Sequence, residues 1–221
     1  MTHPARDLLT TTTAELAPDP QSNPLVPRIA DGTAPRPALA ALALEQTWVI
    51  PADRRAFLYL AERSATTDPE AAAFFWTLAE GEALAGERLV AFARACGVDE
   101  AREASYEPLP GCQAYPAYVA WLALNASPAD VVLALTANFA VWGGYCSTIA
   151  EALRTHYGFT DEACGFFDFF AEPSPGLESQ ATAAVQAGLD GRRLDATSAH
   201  RYGRLLQTYE AMFWNALSVT P

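Results

Sequence analysis

Leu206-Gln207-Thr208-Tyr209-Glu210-Ala211-Met212-Phe213-Trp214-Asn215-Ala216-Leu217, near the C-terminus, carries a helical stripe with one misfit. Leu206, Glu210, Phe213 and Leu217 fall on one side of a helix, the pattern of a core-facing surface. A carboxylate in such a stripe is costly unless it is paired, hydrogen-bonded or protonated. Glu210 therefore reads either as a structural carboxylate satisfied by a neighbouring hydroxyl or amide, or as part of a site.

The same helical period extends upstream over nearly the whole chain. Helices are expected over about Pro37 to Ile50, Ala52 to Ser64 and Pro69 to Cys96, the last ended by Gly97. A further helix is expected from about Tyr115 to Leu124. Ser127-Pro128-Ala129-Asp130 then opens the longest one, to about Thr155, with Ser127 as N-cap and Pro128 in the first position. Helices over Asp161 to Phe170, 177–188 and 197–218 complete the chain. No alternating strand pattern is bounded by hairpin turns, so the fold class is all-α, a single bundle of about seven to nine helices. Residues 1–22, rich in Thr, Pro, Ala and Asp, read as a flexible tail before a domain over 23–221.

At 221 residues, with 51% hydrophobic and 18% charged side chains, the chain can bury a substantial core and is not disordered. A net charge of −12 argues against nucleic-acid binding, which needs a basic surface. No uninterrupted apolar run long enough to span a membrane is evident, and the N-terminus lacks a signal-peptide pattern. Cys96, Cys112, Cys146 and Cys164 have no CxxC spacing and read as reduced thiols of a cytoplasmic protein.

On the longest helix Val131, Leu135, Asn138, Trp142, Cys146, Ile149 and Leu153 share a stripe, with the Asn138 amide as its misfit. Gly143 and Gly144 each cost about 1 kcal/mol in a helix interior. Together they suggest close packing, a kink or room for a ligand. Cys146, with no evident His or Lys partner, reads first as a small buried hydrophobe.

A di-iron site in a bundle needs Glu-x-x-His or Asp-x-x-x-His pairs. The three histidines, His3, His156 and His200, have no such partner, so neither a metal nor another cofactor is expected. Ser-His-Asp, phosphate-loop and dinucleotide-binding signatures are lacking too. The dense run Phe166-Phe167-Asp168-Phe169-Phe170 reads mainly as core, with some rings free to line a pocket for a planar ligand.

With these residues in view, the chain from about Asn23 onward resembles the thiaminase II (TenA) family of the haem-oxygenase-like fold. Asn23-Pro24-Leu25 is similar to that family's His-Pro-Phe entry, and Ile29-Ala30-Asp31-Gly32-Thr33-Ala34-Pro35 to its Ile-x-Asp-Gly-Thr-Leu-Pro. Leu44-Glu45-Gln46-Thr47-Trp48 is similar to its Leu-x-Gln-Asp-Tyr, and Glu210-x-x-Phe213-Trp214 to its terminal Glu-x-x-Phe-Trp. In the family the terminal Glu is an acid/base beside a Cys nucleophile on the central helix. An Asp on the first helix grips an aminopyrimidine.

The resemblance implies that Glu210 is the acid/base and Tyr115 a pocket tyrosine, or Tyr118 in a shifted register. The Asp position falls on Gln46 and the nucleophile position on Asn138. Two further pocket tyrosines become Trp142 and Phe170, and Trp214 belongs to the same constellation. Without a thiolate, displacement through a covalent intermediate is not expected. The resemblance then implies an enzyme for a small planar, heteroaromatic metabolite, with Gln46 and Asn138 positioning the substrate. The alternatives are a non-catalytic binder of a thiamine-like compound and a cofactor-free oxidase resembling pyrroloquinoline-quinone synthase. Cys146 as a displaced nucleophile is a third option. The expected partners are a small-molecule ligand and further copies of the chain, as homodimer or homotetramer, with neither nucleic acid nor membrane.

Overall fold

The structure, a computed structural model, describes residues 4–19 and 22–219, apart from the side chain of Ala140. Among these residues there are ten helices and no strand: α1 (Pro4–Glu15), α2 (Leu25–Ala30), α3 (Arg36–Ser64), α4 (Pro69–Ala95), α5 (Glu100–Ala104), α6 (Pro110–Asn125), α7 (Pro128–Tyr157), α8 (Asp161–Ala171), α9 (Pro175–Asp190) and α10 (Ala196–Ser218). α2 and α5 are short, of six and five residues. The long helices form the expected all-α bundle.

α3 and α4, joined by a short turn, form the most extensive pair. α8 packs on α4 and α7, while α10 packs on α6 and α7. Two large hydrophobic clusters result, beside a small one of Ala40, Leu44 and Val98. One joins Leu39, Leu42, Phe92, Cys146, Ile149, Phe166, Phe167 and Trp214; the other joins Phe57, Phe74, Phe75, Leu122, Val132, Leu135 and Leu206.

Two expectations about boundaries are corrected. The helices expected over Pro37–Ile50 and Ala52–Ser64 are one helix, α3, with Pro51 inside it. A proline there has no N–H for the Thr47 carbonyl and costs about 3 kcal/mol. Val49, Ile50, Asp53, Ala56 and Phe57 are buried on both sides of it, and that packing holds the helix together. Within the expected tail, Pro4–Glu15 forms the helix α1. Ala5, Leu9, Thr12 and Leu16 are buried at helical spacing against α7 and α9. Gly203 of α10 has no Cβ, which gives the Leu16 side chain its place. His3 lies outside the described residues.

Ser127 stands at the cap of α7, but its hydroxyl donates to the Arg193 carbonyl (2.7 Å) and leaves the first turn uncapped. α7 ends at Gly158, whose φ of 71° is a left-handed stop. By length and composition α7 is apolar enough to cross a bilayer, contrary to the sequence expectation. It is nonetheless the central helix, with Val131, Val132, Leu133, Leu135, Cys146, Ile149 and Leu153 buried under its neighbours.

Candidate functional site

A cavity of about 80 Å³ opens at the seam between the two clusters. Its walls come from five long helices and one aromatic of α8. α3 supplies Gln46, Val49, Ile50, Asp53 and Phe57, and α4 supplies Glu82. Tyr115 comes from α6, Asn138, Phe139 and Trp142 from α7, Phe170 from α8, and Glu210 and Phe213 from α10. That space holds several waters or a small ring.

Glu210 is buried, and its carboxylate is held on both sides. The Asn138 Nδ2 donates to Oε2, and the Trp214 Nε1–H donates to Oε1 at 3.3 Å. Tyr115 donates its hydroxyl to the Asn138 Oδ1 (3.1 Å), so tyrosine, amide and carboxylate form one chain. Burial raises the Glu210 pKa above its ordinary value, and the Trp214 and Asn138 donors oppose the rise. The Tyr115 hydroxyl is pushed up by burial and by the Asp53, Glu210 and Glu82 charges around it.

The rings close the other walls. Trp142 meets Phe170 edge-to-face, with centroids 5.7 Å apart. Gly143 explains how α8 comes so near: a Cβ there would stand 3.1 Å from the Phe170 carbonyl. Gly144 faces open space, so close packing accounts for only one glycine of the pair.

Of the residues singled out in the sequence, Glu210, Tyr115, Gln46, Asn138, Trp142 and Phe170 share this cavity. Tyr115 orients Glu210 only through Asn138. Three others lie off it. Trp214 is buried behind Glu210, as donor and packing ring. Tyr118, one turn along α6 from Tyr115, stacks on Trp121 (5.6 Å) and meets Tyr209 of α10 (5.1 Å), outside the lining. Cys146 is fully buried in the first cluster, and burial together with the nearby Glu210 charge holds its thiol well above the ordinary pKa. A displaced nucleophile needs a thiolate facing the cavity, and Cys146 offers neither.

Two carboxylates of the cavity were not anticipated. Asp53 is 5% exposed, and its Oδ1 is buried without a hydrogen-bond partner. Burial pushes its pKa up to about 8. Glu82 is raised as well, by burial and by the Asp53 charge. The signal for Asp53 was present: Gln46, Val49, Ile50, Asp53 and Phe57 form one apolar stripe, hidden only by breaking the helix at Pro51. Glu82 stood between the exposed Glu80 and Glu87 and read as part of a solvated face.

Similar solved structures define the class. A domain of unknown function with a heme oxygenase-like fold from Shewanella denitrificans aligns with a TM-score of 0.69 and 14% identity, over 96% of this chain and 89% of that one. A TenA family transcription regulator from Silicibacter sp. TM1040 gives 0.73 and 17%, over 96% of each chain. A TenA homologue from P. horikoshii OT3 gives 0.68 and 14%, over 98% and 97%. At these identities the likeness is one of fold, and the fold is haem-oxygenase-like. Residues 22–174 match the TENA/THI-4/PQQC family model, and the chain belongs to that family. No curated protein matches the sequence. The matched segment runs from α2 to α8, so Glu210 and the rest of α10 lie beyond it.

Proposed function

We propose that this protein is an enzyme acting on a small planar, heteroaromatic metabolite held in the seam cavity, with Glu210 as its acid/base. The observation that carries this reading is the Tyr115–Asn138–Glu210 chain opening onto a cavity walled by aromatic rings. A carboxylate raised by burial yet still tied to two donors is suited to taking and returning a proton. Asn138 contributes orientation: its amide spans Tyr115 and Glu210 and has no nucleophilic electron pair to offer carbon. Gln46 adds a second amide to the wall for positioning the ring. The reaction is then proton transfer or direct attack by water, without a covalent enzyme intermediate. Thiaminase II turnover is accordingly expected to be absent.

Asn138 at the nucleophile position favours a second reading, a binder of thiamine-like aromatics that performs no chemistry. The remaining expectations go with the first. We place the protein in the cytoplasm as a homodimer or homotetramer, a state that light scattering measures directly. Its net charge of −12 speaks against a nucleic-acid partner.

A thermal-shift screen of metabolite mixtures finds the ligand. A compound at 100-fold over its Kd adds about 2.7 kcal/mol to stability. Glu210→Gln then separates the readings. The enzyme reading expects turnover to disappear in a folded variant that still binds. Turnover retained within about twofold removes Glu210 from the chemistry. A screen that finds no planar aromatic ligand removes both readings.

A further inference from the structure

None of the chain's 26 acidic or 14 basic side chains lies on α6. A helix that is apolar all round belongs in an interior. One face of α6 is nevertheless open: Pro110, Ala117, Trp121 and Leu124 are exposed and Ala114 partly so, with Trp121 at 46% and Leu124 at 63%. α10 extends this face. Its Tyr202 meets Trp121, with centroids 6.2 Å apart, and Leu205 and Met212 are exposed on the same helix. The one acidic residue of α10 is Glu210, which is buried. The two helices therefore present no carboxylate to solvent, in a chain of net charge −12.

Charge and register say what covers this face. Two copies of so acidic a chain repel each other, and a surface free of carboxylates is where they can meet. Pro110, Ala114, Ala117, Trp121 and Leu124 are spaced by 4, 3, 4 and 3 residues, the a and d positions of a seam between helices. Small side chains fill the first half of that seam and large ones the second. When a second α6 runs antiparallel about a two-fold axis at Ala117, each Trp121 falls over the partner's Ala114 and each Leu124 over the partner's Pro110. Bulk meets hollow twice, as a two-fold contact requires.

The rim charges follow the same symmetry. Arg201 and Arg204 flank Tyr202 at the Trp121 end, and Glu107 stands just ahead of Pro110 at the other. The two-fold axis sets each basic end over the partner's acidic end. α6 is about 24 Å long, and two helices side by side are about 20 Å wide. That outline is about 500 Å², and side-chain relief brings it near the ~800 Å² per partner that a stable interface buries.

We propose that two copies of this chain associate through this face, with α6 packed antiparallel on the partner's α6 and α10 alongside. This gives the homo-oligomer of the proposed function its contact surface and is independent of what the cavity binds. The inner side of α6 carries Tyr115, so the contact fastens the helix that holds the cavity tyrosine.

Light scattering of the full chain over a dilution series tests this. The wild type is expected to be a dimer, or a dimer of dimers. Trp121→Glu and Ala117→Glu, both at exposed positions, are each expected to weaken association at least about tenfold while the circular dichroism stays that of a folded bundle. Ala117→Cys reports the register, in a background carrying Cys96→Ser because the other three cysteines are buried. Under mild oxidation it is expected to form a disulfide across the two-fold axis, whereas Leu84→Cys, exposed on α4, is expected to form none. This readout decides even where a glutamate is not tolerated. A monomeric wild type overturns the inference, as does association undiminished in both glutamate variants. Failure of Ala117→Cys to cross-link overturns the two-fold contact. Each of these outcomes leaves the planar-ligand reading of the cavity standing.

Discussion

Glu45 and Asp53 stand eight residues apart on α3, both buried, and the helix treats them in opposite ways. The Glu45 carboxylate is fully enclosed and accepts three hydrogen bonds. The Tyr106 hydroxyl and Leu109 N–H reach Oε1 at 2.6 Å each, and the Gln113 Nε2 reaches Oε2 at 2.7 Å. It fastens the segment between α5 and α6 onto α3. Asp53 is almost as deeply buried, yet one of its oxygens has no partner, and it faces a cavity. Burial therefore does not distinguish a structural carboxylate from a candidate for function; the supply of donors does.

The sharpest attempt to break this contrast is Glu45→Ala. It orphans three donors at once and is expected to cost at least about 3 kcal/mol in urea unfolding, at about 1–3 for each stranded group. A loss below about 1 kcal/mol would show that Glu45 fastens nothing.

Asp53→Asn should act in the opposite direction, raising stability by about 1–3 kcal/mol at pH 8, because it removes a charge that no donor meets. The pH dependence supplies the sign. With Asp53 raised to about 8 and the unfolded side chain near 3.8, the folded state binds the extra proton between those values. Its contribution is complete below about pH 4 and is lost as pH rises through 8. Melting temperatures followed from pH 5 to 8.5 should fall in the wild type and fall less in Asp53→Asn. Parallel curves would remove Asp53 as the cause.

The smallest effect is expected of Tyr115→Phe. It takes one neutral donor from the Asn138 carbonyl oxygen and should cost about 0.5–1.5 kcal/mol, while turnover falls more than binding. Equal losses in both would place Tyr115 among plain binding contacts.

How far the sequence revealed this arrangement varies by residue. Glu210 and Asn138 were legible because each interrupts an apolar stripe on a helix whose boundaries were clear. Asp53 interrupts a stripe of the same quality, but local chemistry put a break at Pro51, where tertiary packing overrides it. α1 escaped for a related reason. Its buried stripe of Ala5, Leu9, Thr12 and Leu16 holds only two large apolar groups, and four consecutive threonines mask it. Tyr118 illustrates the reverse error, since a family motif cannot say which of two tyrosines on one helix lines the cavity. The three-donor clamp on Glu45 joins positions more than sixty residues apart in the chain, and helical spacing carries no trace of it.

Gly143 has a practical consequence for anyone who would redesign the pocket. The Phe170 carbonyl approaches so close that a single added methyl must push the end of α8 outward by a few tenths of an ångström. Phe170 rides on that end, so its ring would retreat from Trp142 and the chamber would widen. Gly143 itself is not in the lining. Selectivity for ligand size can thus be tuned from a position that no ligand ever meets, with the acidic and amide groups left untouched.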